Sequence, residues 1–422
     1  MTVISTPDPK KGRVYQILTV SLLSLNFGIV CFDRNALNYL MPFVGPEMGL
    51  TNAQIGLAAS SLSLSWSIAA FAMGRLSDRL GRRKMLLIVS TLLFSLFAFS
   101  TGLATSFAFI LCARLLMGMA EGGVLPLSHA IVAADVAPEH RGVAQAITQN
   151  VGSNLFGSVL APVLLAGLAA EYGWRHTFFL AGLPGVLSAV LIWVLIRETP
   201  AKPVKSAEPA IAYKFKLWGP GQNRNVSICI VLGALLVGYL VIFWAFIPLY
   251  LTEVKGIPAR TASWMLAILG VSAALGSFVA AGLSDSLGRR PVIALVAFSS
   301  IALPLTVLWF SGPLWLMGVM FFCFGWGVNG LLPLVAATVP SESVDPRYAA
   351  TVIGLCAGSG ELVGGVIGPI LAGLAADATS PMAPLWIAAG LAVIAGCVAL
   401  ALRETVPSRR RPATLVSAVH VQ

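Results

Sequence analysis

Gly74-Arg-Leu-Ser-Asp78-Arg-Leu-Gly81-Arg82-Arg83 returns further along the chain as Gly282-Leu-Ser-Asp285-Ser-Leu-Gly288-Arg289-Arg290, and this recurrence decides the fold. Asp78 to Asp285, Gly81 to Gly288 and Arg83 to Arg290 each span 207 residues. The same offset lays Gly123-Val-Leu-Pro126-Leu127 on Gly330-Leu-Leu-Pro333-Leu334. An offset of 206 lays Leu165-Ala-Gly-Leu-Ala-Ala170 on Leu371-Ala-Gly-Leu-Ala-Ala376, and Arg197-Glu198-Thr199 on Arg403-Glu404-Thr405. The chain carries two copies of one design, running in the same direction. In a membrane protein such a parallel repeat places a site between the halves.

The composition points to a membrane. Of 422 residues, 57% are hydrophobic and only 10% are charged, against about 25% charged in soluble domains. A core cannot hide that much apolar surface, so lipid must solvate part of it. Segments of about 20 apolar residues cross a hydrocarbon core, and twelve such segments are predicted. In the first half they run from Tyr15 to Met41, Ala53 to Met73, Met85 to Ala104, Phe107 to Ala134, Val143 to Ala170 and His176 to Ile196. In the second they run from Val226 to Leu251, Thr261 to Leu283, Pro291 to Phe310, Leu314 to Val339, Tyr348 to Ala376 and Pro384 to Leu402. The expected fold class is an all-α membrane protein of two six-helix, pseudo-symmetric bundles, at 15–196 and 226–402. A tail at 1–14, a central loop at 197–225 and a tail at 403–422 complete it.

Basic residues set the expected orientation. Lys10, Lys11 and Arg13, then Arg75, Arg79, Arg82, Arg83 and Lys84, then Arg141, the central lysines Lys202, Lys205, Lys214 and Lys216, Arg289, Arg290, Arg347 and Arg403 to Arg411 fall on one side of a twelve-helix path. The other side keeps Arg175, Lys255 and Arg260. By the positive-inside rule both termini and the central loop are expected in the cytoplasm. The net charge of +10 is dispersed among loops, which fits topology and anionic lipid better than a nucleic-acid partner. The first apolar segment is too long for a signal peptide and is read as retained.

Several function classes lose support. The six cysteines lie inside predicted helices without CxxC spacing, and the four histidines form no ligand cluster, so neither disulfide nor metal is expected. No P-loop motif is present, so no nucleotide or other cofactor is expected and transport must draw on a gradient. No nucleophile–base spacing supports an enzyme.

Departures from the repeat mark candidate function. Five charged residues fall well inside predicted spans: Asp33 and Arg34 in the first, Arg114 and Glu121 in the fourth, and Glu361 in the eleventh. At the 207 offset, Asp33 meets Leu240, Arg34 meets Val241, Arg114 meets Phe321 and Glu121 meets Val328. A charge near a membrane centre costs about 2.5–3.5 kcal/mol on insertion scales, so such residues usually have a task. Arg114 and Glu121 are seven apart and so share a helical face, about 10 Å apart along the axis. Asp33 and Arg34 point about 100° apart, and Arg34 shares its face with Asn38. Structural alternatives stay open: an ion pair near the membrane interface for Asp33, a packing role for Glu361 among its glycines. In the repeated loops, glycine allows a sharp turn and the arginines anchor topology. Asp78 can meet the positive end of a neighbouring helix, a contact made in one conformation and broken in another.

The repeated loop and the 6+6 pattern closely resemble the major facilitator superfamily over essentially the whole chain. A narrower resemblance is to its anion:cation symporters. It rests on Phe32-Asp33-Arg34-Asn35-Ala-Leu-Asn38, on Arg114-Leu-Leu-Met-Gly118-Met-Ala-Glu121 followed by Pro126, and on Trp244-Ala-Phe-Ile-Pro248-Leu-Tyr250-Leu251. The resemblance implies a central cavity and alternating access, with Arg34 and Arg114 on the substrate carboxylate and Asp33 and Glu121 exchanging protons. It also implies polar contributions from helices 5 and 11, for which Gln149, Asn150, Asn154, Ser359 and Glu361 are the candidates. Gly74, Asp78, Gly81 and Arg82, with Asp285, Gly288 and Arg289, would form the gating loops. Tyr39, Trp66, Tyr239, Phe243 and Trp244 can supply aromatic walls, or pack in the core or against lipid. Two departures, Ser63-Leu-Ser65-Trp66 in helix 2 and a Glu at position 361 in place of an amide, count against a polyhydroxy acid and leave room for a flatter one.

The expectation is a proton-coupled symporter that imports a small organic carboxylate across a bacterial inner membrane, with the proton, the anion and membrane lipid as partners. A monomer is expected. Two guanidiniums suit a carboxylate because arginine stays charged and offers forked donors. The alternative is a proton-driven efflux antiporter. It is weakened because the fifth segment reads Gly157-Ser-Val-Leu-Ala161-Pro162, while the Gly-Pro pair, Gly368-Pro369, lies in the eleventh.

Overall fold

The computed structural model describes residues 12–137, 140–198, 224–344 and 349–405, without the side chains at 71, 74, 75, 78, 79, 142, 328 and 349–351. The described residues form twelve helices in the predicted order. These are α1 (Arg13–Met48), α2 (Asn52–Leu80), α3 (Arg83–Thr101), α4 (Phe107–Asp135), α5 (143–172) and α6 (174–195), then α7 (Arg224–Val254), α8 (Ala259–Leu287), α9 (Arg289–Trp309), α10 (314–342), α11 (Ala349–Ala378) and α12 (Ala383–Ala399). The expected tails and central loop fall mostly outside the described residues.

Local chemistry explains the breaks. Gly173, at φ 80°, turns the chain between α5 and α6, a backbone state that costs other residues a Cβ clash. Thr51 and Gln54 form a reciprocal capping box at the start of α2, which satisfies orphan amides of the first turn. The repeated Gly-x-x-Pro-Leu stretches both interrupt their helices. In α4 the helix stops at Glu121 and resumes at Val124. In α10 a short turn over Gly327–Gly330 separates Leu314–Phe324 from a π-helical stretch, Leu334–Thr338. Proline fits where a helix restarts and resists sitting deep inside one.

Helices α1–α6 pack on one another, as do α7–α12. Small residues allow several close crossings: α2 with α4 at Gly118, α3 with α6 at Gly185, and α7 with α11 at Gly233 and Gly364. Outside the packed seams stand exposed large hydrophobics such as Leu96, Leu187, Val194, Phe278 and Leu371. An apolar skin of this extent suits lipid rather than water.

The halves meet mainly through α2 with α11 and α5 with α8, toward the end where α1 finishes. Ser60 donates to Val366 O at 2.7 Å, and Tyr39 meets Trp244 edge-on at 5.9 Å. A Cβ on Gly56 would strike the Pro369 carbonyl, and one on Gly373 would strike Asn52 O. There Asp377, at the end of α11, accepts from Asn52 N at 2.9 Å and Ala53 N at 2.8 Å, and from the Asn52 amide at 2.9 Å. The carboxylate of one half thus caps the first helix turn of the other. The opposite end of the molecule carries the arginine-rich loops and is called the basic end below.

Candidate functional site

The intramembrane charges predicted from the sequence are brought together at mid-depth. Asp33, Arg114 and Glu121 are all buried, with 1%, 2% and 1% of their surface exposed. The Arg114 guanidinium donates to the backbone carbonyl of Arg34 at 2.8 Å and lies 3.7 Å from Met117 Sδ, while its Nε has no partner. Both carboxylate oxygens of Asp33 and both of Glu121 are buried without a hydrogen-bond partner. The two acids interact electrostatically with each other and with Arg114, and Glu121 also with Arg34. Buried carboxylates without hydrogen bonds are costly in a fold. Such a price is tolerated where the group must exchange a proton or meet a ligand.

Arg34 faces a different direction from Asp33, about 100° around the helix. It approaches Glu361 on α11 at 3.6 Å, with both side chains about a quarter exposed, at 24% and 22%. Its guanidinium lies 5.4 Å from the Trp66 ring, within cation–π range. The two arginines are therefore not equivalent. Arg34 is reachable from the space between the halves, and Arg114 sits behind it, braced on its main chain.

The remaining candidates divide. Asn38, Asn150, Asn154 and Ser359 are half-buried, and Ser359 donates to Cys356 O at 3.2 Å. Asn150 lies in the π-helical stretch Ile147–Val151 of α5, and Asn154 in the next, Ser153–Leu160; wide turns of this kind often accompany functional sites. Trp244 is buried against Tyr39, whose hydroxyl donates to Gly157 O at 3.1 Å. Tyr239 is not part of this group. It is buried inside the second half, stacked on Phe243 at 5.9 Å, and its hydroxyl donates to Ser300 O at 3.0 Å. An aromatic wall role does not fit a ring committed to that core.

At the basic end, Gly81 takes φ 65° and Gly288 φ 104°, as the sharp turns require, and Arg82 precedes α3. The side chains of Gly74 and Asp78 lie outside those described. Asp285 does not cap a helix in this structure. It pairs with Arg289 at 2.5 Å, and Arg289 also reaches Glu342 at 2.9 Å. The carboxylates at the helix starts are instead Glu404, which accepts from Arg289 N at 2.9 Å and Arg290 N at 3.2 Å, and Glu198, which accepts from Lys84 N at 3.2 Å and Met85 N at 3.3 Å. Sequence reasoning saw the repeated Arg-Glu-Thr only as a repeat. Asp377 was missed altogether, although an acid at a helix C-terminus opposes the helix dipole and hints at a partner elsewhere.

Comparison with known proteins places this geometry. The family model described as Major Facilitator Superfamily matches residues 23–360 and, in a second match, 231–419. The chain belongs to the Major Facilitator Superfamily. It is a multi-pass membrane transporter and not an enzyme. A hexuronate transporter of Bacillus subtilis (strain 168) is 28% identical, with 90% of this chain and 92% of that protein covered. A 3-(3-hydroxy-phenyl)propionate transporter of Escherichia coli (strain K12) is 29% identical, covering 88% of this chain and 89% of the relative. Among solved structures, a bacterial homologue of the human lysosomal transporter Spinster, described as inward-facing and unoccupied, superimposes with a TM-score of 0.75 at 21% identity. That superposition covers 92% of this chain and 98% of the other, and it carries the superfamily fold.

Proposed function

We propose that this superfamily member is a proton-coupled symporter that imports a small organic carboxylate across a bacterial inner membrane by alternating access. The observation that carries the reading is the buried cluster. Two carboxylates without hydrogen bonds, Asp33 and Glu121, lie beside two guanidiniums, one of which, Arg34, is open to the space between the halves. A guanidinium at mid-depth attracts a carboxylate, and a low-dielectric surrounding strengthens the attraction. Arg34 makes the first contact and Arg114 completes the anion site behind it, with Trp66, Asn38, Asn150, Asn154 and Ser359 shaping the rest. Asp33 and Glu121 load and release the proton as the cavity changes sides. Relatives named as carriers of hexuronate and of hydroxyphenylpropionate support an organic acid as cargo.

With the basic end in the cytoplasm, the contacts between α2 and α11 close the outer side, and this conformation is the inward-facing stage of the cycle. The chain works as a monomer, and the basic loops rest against anionic lipid.

Proteoliposomes with an imposed inward proton gradient test the reading. Labelled D-glucuronate or 3-(3-hydroxyphenyl)propionate should accumulate, and collapse of the gradient should abolish accumulation. Expulsion of these acids by the same gradient would replace the symporter with an antiporter. Uptake unaffected by the gradient would remove the proton.

A further inference from the structure

Glu361 is the one acid of the central group that sits on the second half, and its contact is unusual. At 3.6 Å from Arg34, Oε2 is in ion-pair range but beyond a good hydrogen bond, and that oxygen has no hydrogen-bond partner. The pair is held by charge alone. Among the described residues, Arg34 is the one cation in ion-pair range of Glu361. From α2, Ser63 lies near the carboxylate, beside Gly365. Against this stretch of α11, α7 presents Gly233, Ala234 and Gly238. From α10, Glu342 is committed to Arg289 and Thr405, and α12 (Ala383–Ala399) has no charged residue. On the first half, Arg114 donates to the Arg34 carbonyl, Asp33 and Glu121 are buried, and Glu121 also interacts electrostatically with Arg34.

We propose that Glu361 is a tethered stand-in for the substrate: it neutralises Arg34 in the empty carrier, and an incoming carboxylate displaces it and drives a proton onto it. The inference rests on the import reading above and extends it to a third proton-carrying group. A free carboxylate can approach a guanidinium to about 2.7–2.9 Å through two parallel hydrogen bonds. Glu361 makes no such bond, so the substrate wins Arg34. Glu361 is then left among glycines and one serine, where an unpaired charge is unfavourable. The exchange balances. One acid anion and one proton enter, the anion takes Arg34, the proton takes Glu361, and the net charge of the site does not change. The empty carrier gains as well, because Arg34 paired with Glu361 is not left as a bare cation in the low-dielectric cavity.

Two measurements on the purified full-length protein decide the matter. In infrared difference spectra without substrate, Arg34→Gln should show a protonated-carboxyl stretch that is missing from Arg34→Gln/Glu361→Gln, and Arg34→Lys should not show it. In calorimetric titrations with 3-(3-hydroxyphenyl)propionate and D-glucuronate, in buffers of different ionisation enthalpy, wild type should take up about one more proton per acid than Glu361→Gln. By linkage, the slope of log affinity against pH should fall by about one in that variant. Equal proton uptake in the two proteins, or no Glu361 band in Arg34→Gln, overturns the proposal. If neither acid binds wild type, the choice of substrate fails, and the infrared comparison still decides whether Glu361 takes a proton when Arg34 is withdrawn. If Arg34→Gln does not fold, the titration of Glu361→Gln decides it alone.

Discussion

The two halves share a backbone plan and divide the chemistry. Where the first half places Asp33, Arg34 and Arg114, the 207-residue offset gives the second half Leu240, Val241 and Phe321, and Phe321 is fully buried in hydrophobic core. The exchange runs the other way on the fifth helix of each half, where the same offset sets Asn154 of α5 against Glu361 of α11. The first half holds the fixed cluster, and the second brings one acid to it. A site built this way changes its charge pairing whenever the halves move apart. A symmetric site, with a full cluster on each side, would not.

The strongest test of that division moves a charge across it. Phe321→Arg puts the repeat mate of Arg114 into a core without an acid partner. Insertion costs of about 2.5–3.5 kcal/mol or more for such a charge predict loss of the monodisperse peak in gel filtration of membrane extracts. A folded Phe321→Arg would mean that the asymmetry has nothing to do with stability.

Removing the cluster's cations should be next in size. Charge-assisted hydrogen bonds are worth about 1.5–3 kcal/mol, so Arg34→Ala and Arg114→Ala should each weaken acid binding by about 10- to 150-fold in calorimetry. Arg290→Ala at the basic end should change it by no more than about twofold. Unchanged affinity in both cavity variants would end the case for a carboxylate clamp.

Coupling gives a subtler contrast. Glu121→Gln keeps the side chain's shape and removes its titration. Exchange of labelled for unlabelled acid should persist, because it needs no net proton movement, whereas gradient-driven accumulation should vanish. Asp33→Asn should behave alike. Accumulation at wild-type levels in Glu121→Gln would shift proton carriage to Asp33 and Glu361.

The smallest expected effect concerns the contact that joins the halves. Loss of a cap costs about 1 kcal/mol, so Asp377→Ala should shift the ratio of closed to open forms at that end by about fivefold. Distance distributions between spin labels at Leu50 and Ser380 would register it. An unchanged distribution would show that the close packing of α2 on α11 suffices without the carboxylate.

Much of this was legible in the residues. The repeat offsets and the apolar segments fixed the helix order, and the break near Gly173 fell between the predicted ends at Ala170 and His176. The charged cluster was visible because charges are rare in apolar helices. Three things were hidden. The π-helical stretches of α5 coincide with a tertiary contact: Ser24, on α1, donates to Ile147 O at 2.9 Å and accepts from Gly152 N at 3.0 Å, and a wheel drawn at regular helical spacing misplaces Asn150 and Asn154. Tyr239 sits in a helix apolar on every side, so periodicity could not say which face it takes. The unequal exposure of Arg34 and Arg114 depends on how α1 and α4 cross, which no spacing within one helix encodes.

The contact at Gly56 and Gly373 has one more consequence. That seal is made by backbone against backbone, where the side chain is a hydrogen atom and the facing groups are carbonyls of Pro369 and Asn52. Under the proposed function, cargo choice rests instead on side chains at mid-depth such as Trp66, Asn154 and Glu361. The two tasks draw on different atoms, so the carrier can be re-engineered for another acid by substituting the second set while the hinge keeps its fit. The same separation makes position 56 a place for a wedge: a bulky residue there would hold that end ajar and supply a trapped form for raising conformation-specific binders.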